Sequence, residues 1–242
     1  MPLSIRRAGH RYRSEPEPGV RTAHAFSFSA HYDPANVSFG ALLACNEERL
    51  APGAGFAAHR HRDTEILTWV LEGVLAHRDD HGHEAEIRPG QLQYLSAGAG
   101  VSHSEVNAVA AGEPVRFLQF WLQPGEFGTE PAYAVRDVDL EAPSALLTPP
   151  GMLRRDDAAL HLLRAPAYLP LPELPRAAYL YLHLTRGSLG FREADGPKGR
   201  GRELAEGDAV RITEGDALID PTAGPDGAEL LVWAMESPVA YG

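Results

Sequence analysis

Two pairs of side chains with metal-binding chemistry stand out in the sequence. His59 and His61 form the first pair, and His103 and Glu105 form the second, about forty residues further along the chain. Alternate residues of an extended strand leave the same face, so the members of each pair can project together. Two such pairs on two strands of one barrel would bring three imidazoles and one carboxylate to a single cation. This donor set suits iron, manganese, nickel, copper or zinc, and it leaves open positions for a water, an enolate or dioxygen.

The rest of the composition bears on whether these pairs bind metal. Eleven histidines occur in the chain, so the His59/His61 pair alone is weak evidence. A second pair with the same spacing and glycine-rich flanks favours a metal site over two chance surface histidines. The single cysteine, Cys45, lies in an apolar run, where we expect a small buried hydrophobe. A metal would therefore be held through nitrogen and oxygen alone.

The elements that must position these residues are short and β-like. Segments rich in β-branched, aromatic and leucine residues alternate with scattered glycines and prolines, as in an all-β sandwich or barrel. Turns are expected at residues 79–82 and 88–90. A helical turn or two is the only helix signal, at residues 156–161, and residues 123–150 form the best linker. The predicted strands are residues 38–45, 66–71, 74–78, 85–87, 91–95, 115–122, 179–185, 188–192, 209–212 and 229–234.

A weak internal repeat predicts two barrels. The sequence around Gly73 and Gly90 resembles that around Gly187 and Gly207, in the same order and at similar separation. We therefore expect an N-terminal metal-binding domain over residues 1–128 and a C-terminal domain over residues 129–242. The second domain has no His-x-His pair, and no histidine follows His183, so we expect it to lack metal and to be structural.

Charge and hydropathy limit the partners. The net charge of −11 argues against sequence-independent binding to nucleic acid, which needs a basic face. No run approaches the ~20 apolar residues of a membrane span, and no apolar run follows the first charged residues, so we expect a cytoplasmic protein without membrane contact. Among aromatic residues, Trp69 and Trp121 are expected in the core rather than at a substrate. His77 is the one hairpin histidine expected near a pocket.

These segments resemble the two motifs of the cupin superfamily and, more closely, the pirin family of bicupins. The resemblance is dense over residues 20–122 and loose beyond them. It rests on the following text: His24-Ala-Phe26-Ser-Phe28, Tyr32-Asp33-Pro34, Phe39-Gly40, Ala51-Pro52-Gly53, His59-x-His61-Arg62-Asp63-x-Glu65, Val70-Leu-Glu-Gly73, His77-Arg78-Asp79, Ile87-Arg88-Pro89-Gly90 and Gly98-x-Gly100-x-x-His103-Ser104-Glu105. It implies an all-β bicupin, in which two antiparallel β-barrels of the double-stranded β-helix or jelly-roll type pack together and the second binds no metal.

The resemblance also implies a metal and a ligand set. Iron, as Fe(2+), is the usual metal of pirins. Most cupins take a carboxylate ligand from the first motif, which is Glu65 here. Pirins take it two residues after the third histidine, which is Glu105 here, and we favour Glu105 as both ligand and catalytic base. Glu65 is the alternative, and whichever carboxylate is not the ligand would support the site or face the substrate.

The activity implied by the resemblance is oxygen-dependent cleavage of a flavonol, as in quercetin 2,3-dioxygenase. A deprotonated flavonol hydroxyl can bind an open metal position beside dioxygen, and a nearby carboxylate can take its proton. The expected partners are a small aromatic substrate and dioxygen, with the chain acting as a monomer. Two alternatives stay open at this point: an iron-containing regulatory or redox-sensing protein that acts through protein partners, and a cupin dioxygenase for another enol or phenol.

Overall fold

The structure is a computed structural model that describes residues 3–108, 112–193, 201–213 and 215–240. Nearly all regular structure in these residues is β-strand, joined by one short 3-10 turn, Ala8–His10, which confirms the all-β prediction. Those same residues include no helix long and apolar enough to cross a membrane. The strands are β1 (Ser4–Arg6), β2 (Tyr12–Ser14), β3 (Val20–His24), β4 (Leu42–Leu50), β5 (Gly55–His61), β6 (Glu65–Glu72), β7 (Leu75–Asp79), β8 (Glu84–Ile87), β9 (Gln91–Ser96), β10 (Val101–Asn107), β11 (Val115–Leu122), β12 (Ala132–Asp137), β13 (Ser144–Leu146), β14 (Ala158–Ala165), β15 (Tyr179–Glu193), β16 (Gly201–Ala205), β17 (Ala209–Thr213) and β18 (Leu218–Met235).

The strands form two compact units. The first contains Tyr12–Val138 and Gly151–Asp156, and the second contains Met1–Arg11, Asp139–Pro150 and Asp157–Gly242. The division of the chain into domains 1–128 and 129–242 stays a prediction. The two compact units have different boundaries, since each combines segments that are separate in the sequence.

The first unit, which carries the candidate metal residues, contains two antiparallel sheets. A seven-stranded sheet has the order β12-β9-β6-β11-β4-β3-β2, and a four-stranded sheet has the order β5-β10-β7-β8. Buried residues alternate along β10, where Val101, His103, Glu105 and Asn107 are buried and the residues between them are partly exposed. This two-residue period turns His103 and Glu105 toward the same interior. An apolar cluster that includes Val20, Leu50, Val70, Leu75, Ile87, Val115 and Phe117 stabilises the unit.

The second unit is built around one antiparallel sheet with the order β1-β17-β15-β18-β14-β13, and β16 pairs with β15. Strand β1 pairs with β17 from Ser4 opposite Arg211 to Arg6 opposite Ala209. The apolar core of this second unit includes Leu182, Leu189, Val210, Leu230 and Val232.

The glycines of the predicted repeat have matching backbone conformations. Gly73 and Gly187 have φ values of 76° and 74°, and Gly90 and Gly207 have values of 87° and 82°. An L-residue with a side chain is strained in this left-handed region, which accounts for glycine at all four positions. The backbone carbonyl of Arg88 accepts a hydrogen bond from the backbone N–H of Gln91, which confirms the predicted turn.

Several predicted elements need correction. Residues 156–161 do not form a helical turn, because residues from Ala158 onward belong to strand β14, whose pairing with β18 buries Leu160 and Leu162. The predicted strand 38–45 begins and ends later, at Leu42–Leu50. Residues 179–185 and 188–192 form one strand, β15, which continues through Gly187 with shifts of register. The prediction omitted strands that are short or whose polar or small residues weaken the apolar pattern, namely β1, β2, β3, β5, β10, β12, β13, β14 and β16.

Candidate metal centre

Three histidines from two neighbouring strands of the four-stranded sheet lie together. Antiparallel pairing places His103 of β10 opposite His59 of β5, and Val101 opposite His61. The imidazole centroid of His103 lies 4.6 Å from that of His59 and 5.0 Å from that of His61, and those of His59 and His61 are 4.8 Å apart. Their candidate ligand atoms all lie within 4.8 Å of one another. The predicted period-two geometry therefore brings all three histidines to one place.

A glycine allows β10 to pass close to β5 at this point. The register between the strands shifts between His103 and Glu105, so that Glu105 lies opposite Phe56. A Cβ atom on Gly55 would collide with the backbone oxygen of Glu105 and with Val106. Glycine is required here because two backbones approach closely, and the shift re-aims Glu105 relative to His103.

The protonation and bonding of the histidines suit a metal cation. Burial, together with the neighbouring imidazoles, lowers the pKa of His61 to about 4 and that of His103 to about 3. Both rings are therefore neutral at neutral pH and have a lone pair for a metal. The Nδ1 atom of His103 lies 3.4 Å from Nδ1 of His77, whereas its buried Nε2 atom has no hydrogen-bond partner. An unpaired buried nitrogen is costly, and a bound metal ion would satisfy it.

Glu105 is buried and held by two amide side chains. Gln93 Nε2 donates to Oε1 at 3.2 Å, and Gln119 Nε2 donates to Oε2 at 2.9 Å. Its carboxylate forms a second candidate ligand group with His77 and His103 within 4.8 Å, while His59 and His61 are outside that group. Glu105 therefore lies beside His103, within reach of an ion that both residues could bind. The two amides fix the carboxylate as an acceptor of hydrogen bonds.

Glu65 lies in a different environment, on strand β6. Its carboxylate accepts hydrogen bonds from Tyr94 Oη at 2.5 Å, Ser96 Oγ at 2.6 Å and the backbone N–H of Arg154 at 3.1 Å. No contact between Glu65 and the three histidines is found among the described residues. Burial and the Glu65 carboxylate together raise the pKa of Tyr94, so the phenol remains a donor. The Glu65 carboxylate is thus buried and already accepts three hydrogen bonds.

A row of buried polar side chains crosses five adjacent strands of the seven-stranded sheet. Strand register places side by side His24 of β3, Asn46 of β4, Gln119 of β11, Thr68 of β6 and Gln93 of β9. His24 Nδ1 and Asn46 Oδ1 are 3.0 Å apart, and both glutamine amides lie 3.3 Å from Thr68 Oγ1. The row supplies the donors that the buried Glu105 carboxylate needs.

Sequence reasoning missed this row, although a signal was available. Gln93 and Gln119 are polar residues flanked by large apolar residues in strands β9 and β11, a pattern that indicates a buried hydrogen-bond network. His77 was expected near a pocket. Its ring is buried beside His103 and stacks on Tyr133 with centroids 4.6 Å apart, and it is not among the residues that line the cavity.

His59 and His61 line a cavity of about 270 Å³. This volume is near the lower end of the range for small-molecule sites. Its apolar walls include Phe28, Phe56 and Trp121. The Trp121 ring lies edge-on to His61 with centroids 4.9 Å apart, so the expectation that Trp121 is a core residue is wrong. Trp69 is buried, as expected.

A second buried carboxylate, Glu48 of β4, lines the same cavity. It lies beside Thr22 of β3, whose hydroxyl donates to Oε2 at 2.5 Å. Burial, opposed by the Thr22 hydrogen bond and assisted by the nearby charges of Glu105 and Glu47, raises the pKa of Glu48 to about 8. At neutral pH the Glu48 carboxyl is therefore mostly protonated in the folded protein.

This pKa predicts how stability changes with pH. The folded chain retains a proton on Glu48 up to about pH 8, whereas the unfolded chain loses it near the ordinary value of 4.5. The contribution of Glu48 to the free energy of unfolding is thus present below pH 4.5 and is lost as pH rises toward 8. Between pH 5 and 8 we expect wild type to lose on the order of 1–3 kcal/mol relative to Glu48→Gln. Urea unfolding of both metal-free proteins measures this difference, and parallel pH profiles would contradict it.

Comparisons with known proteins identify the family and the fold. A family model described as Pirin matches residues 6–122. A Mycobacterium tuberculosis H37Rv protein, provisionally named as a quercetin 2,3-dioxygenase, is 38% identical over 244 residues, covering 97% of this chain and 96% of that protein. Quercetin 2,3-dioxygenase of Escherichia coli K12 is 41% identical over 116 residues, covering 48% of this chain and 50% of that protein. The crystal structure of the Escherichia coli pirin YhhW in complex with nickel(II) has a TM-score of 0.83 and 26% identity, covering 98% of this chain and all of that one.

Proposed function

The chain belongs to the pirin family, and from that premise we propose that it is a metal-dependent dioxygenase that cleaves a flavonol such as quercetin. The observation that carries the proposal is the cluster of His59, His61 and His103, of which His59 and His61 line an aromatic-walled cavity. Three imidazole ligands leave positions on a metal ion free for a substrate oxygen. The name of the Escherichia coli relative supports the reaction and the flavonol class.

We propose His59, His61, His103 and Glu105 as the metal ligands. The three histidine nitrogens already converge, and Glu105 lies beside His103. Nickel is the metal named in the structure of the related pirin, and we propose Fe(2+) as the native metal here, with Mn, Ni, Cu and Zn as alternatives that the same donors accept. When bound, the metal would lower the pKa of a flavonol hydroxyl and bring the substrate together with dioxygen.

The chain's own residues would position the substrate and move its proton. Glu105 is the proposed acceptor of the flavonol hydroxyl proton, because its carboxylate lies beside His103 and is held in place by two amide donors that cannot take a proton themselves. Phe56 and Trp121 would hold the flat ring and exclude water from it. Ring opening by dioxygen would place both oxygen atoms in the product and release one carbon as carbon monoxide.

Glu65 is proposed as support for the site. Tyr94, Ser96 and the Arg154 amide already occupy its carboxylate, so it holds the end of strand β6 rather than meeting the substrate. We further propose that the protein works in the cytoplasm as a monomer, with the flavonol and dioxygen as its partners.

Oxygen uptake tests the proposed function. Protein loaded with ferrous iron is expected to consume dioxygen when quercetin is added and to release an equal amount of carbon monoxide, whereas metal-free protein should do neither. An oxygen electrode and carbon monoxide binding to a haem protein measure the two gases. A panel of flavonols that causes no uptake with the loaded protein would overturn the proposal and favour the regulatory alternative.

A further inference from the structure

The cavity has a polar face on the sheet opposite the histidines. His59, His61 and Glu105 belong to the four-stranded sheet, whereas Thr22 and Glu48 belong to strands β3 and β4 of the seven-stranded sheet. Glu48 is 3% exposed, and Thr22 donates to its Oε2 atom. The Oε1 atom receives no hydrogen bond from any described residue, and it is accessible from the cavity. It is therefore free to pair with a ligand on this face of the cavity.

The charges of the cavity restrict what can enter it. Its lining includes three carboxyl groups, those of Glu15, Glu48 and Glu105, and no lysine or arginine among the described residues. An anionic substrate, such as a carboxylic acid or a phosphate ester, would meet no cationic side chain there. A neutral molecule with flat apolar rings fits the aromatic walls, provided that its polar groups find partners.

We propose that Glu48 binds a ring hydroxyl of the substrate that is remote from the hydroxyl at the metal. This inference rests on the proposed function and narrows it to neutral aromatic substrates with hydroxyl groups at two separated positions. The free Oε1 atom would pair with the substrate hydroxyl, and Thr22 would hold the carboxyl in place. A buried polar group that pairs with a substrate hydroxyl discriminates strongly against an analogue without it, because the analogue leaves the group unpaired.

The pKa of Glu48 agrees with a neutral partner. A carboxyl group that is mostly protonated at neutral pH needs no cation to compensate it, and it matches an uncharged phenol rather than an ammonium group.

Anaerobic binding to nickel-loaded protein tests the inference without turnover. Quercetin has several ring hydroxyls, whereas 3-hydroxyflavone has only the hydroxyl that would bind the metal. Wild type is expected to bind quercetin about 10- to 100-fold more tightly than 3-hydroxyflavone. Glu48→Met should bring the two dissociation constants to within about 3-fold, and Glu48→Gln should keep most of the preference because an amide still pairs with a hydroxyl. Calorimetry or quenching of tryptophan fluorescence measures both constants.

Neighbouring substitutions and the ligand series make the result decisive. Glu47→Met applies the same change on the other face of β4, where Glu47 contacts Arg116, and should leave the preference intact. Equal binding of the two ligands by wild type would overturn the inference even if no variant folds. An unchanged preference in Glu48→Met would also overturn it. Oxygen uptake is measured separately. If Glu48→Met loses the preference for quercetin but the iron-loaded protein consumes no dioxygen, only the proposed dioxygenase activity is refuted. If the protein consumes dioxygen but Glu48→Met keeps the preference, only the role of Glu48 is refuted.

Discussion

Replacing His103 with alanine is expected to abolish metal binding and leave the chain folded. His103 supplies the buried Nε2 atom that lacks a partner, and it joins the pair His59 and His61 to Glu105. In wild type, a metal at 100 times its dissociation constant should stabilise the folded state by about 2.7 kcal/mol. In His103→Ala that increment should be absent. Thermal unfolding with and without nickel(II), together with metal analysis of the purified protein, measures the loss.

An exposed histidine of the same sheet provides the control. His81 lies in the turn between β7 and β8 with its side chain 44% exposed, so His81→Ala should keep the full metal-dependent shift in melting temperature. Full metal content and an undiminished shift in His103→Ala would contradict the proposed ligand set.

Replacing Glu105 with glutamine is expected to reduce kcat/KM for a flavonol by about 10²- to 10³-fold, the range of a lost general base. The glutamine cannot take a proton and binds a cation poorly. Its new NH₂ group would also face an amide donor from Gln93 or Gln119. If Glu105 is both ligand and base, metal affinity and rate should fall together. Oxygen uptake and a metal titration measure the two effects.

Glu65→Gln is the matched comparison, because the same substitution then falls on a carboxylate with three donors of its own. We expect a smaller loss of rate, about 10-fold or ~1.4 kcal/mol in the barrier, with metal content retained. Stability should fall, since an amide nitrogen cannot accept the hydrogen bond that a carboxylate oxygen received. Loss of metal in Glu65→Gln together with its retention in Glu105→Gln would exchange the roles proposed for the two residues.

The gathering of the three histidines was predictable because it depends on local geometry. An i, i+2 spacing on a strand fixes which side chains share a face, so His59 and His61 needed no knowledge of the rest of the fold. The all-β bicupin class was predictable as well, through the turn glycines and the text that resembles pirins. The strands that hold the histidines were omitted from the prediction, since His59, Arg60 and His61 interrupt any apolar pattern in β5.

The surroundings of Glu105 depend on register between distant strands and could not be predicted. Gln93 and Gln119 meet its carboxylate because β9, β6 and β11 lie side by side in one sheet with Thr68 between them. A shift of one residue in either strand would turn a glutamine to the opposite face. The same holds for Glu48, whose neighbour Glu47 is equally acidic in the sequence. Which of Glu47 and Glu48 lines the cavity depends only on which face of strand β4 points inward.

The pairing of β1 with β17 has a consequence for the order of folding. Arg7, which follows β1, binds the carboxylate of Asp208 at a separation of 201 residues. Contacts between segments so far apart close late, because the chain entropy lost on joining them must be offset by structure formed elsewhere. As a ribosome releases the chain, Ser4–Arg6 emerges before every other strand, yet it has no partner until Ala209–Thr213 has been made. The unit that carries the candidate metal residues, whose segments all precede residue 157, can fold during that interval, so the sheet that contains β1 is completed last.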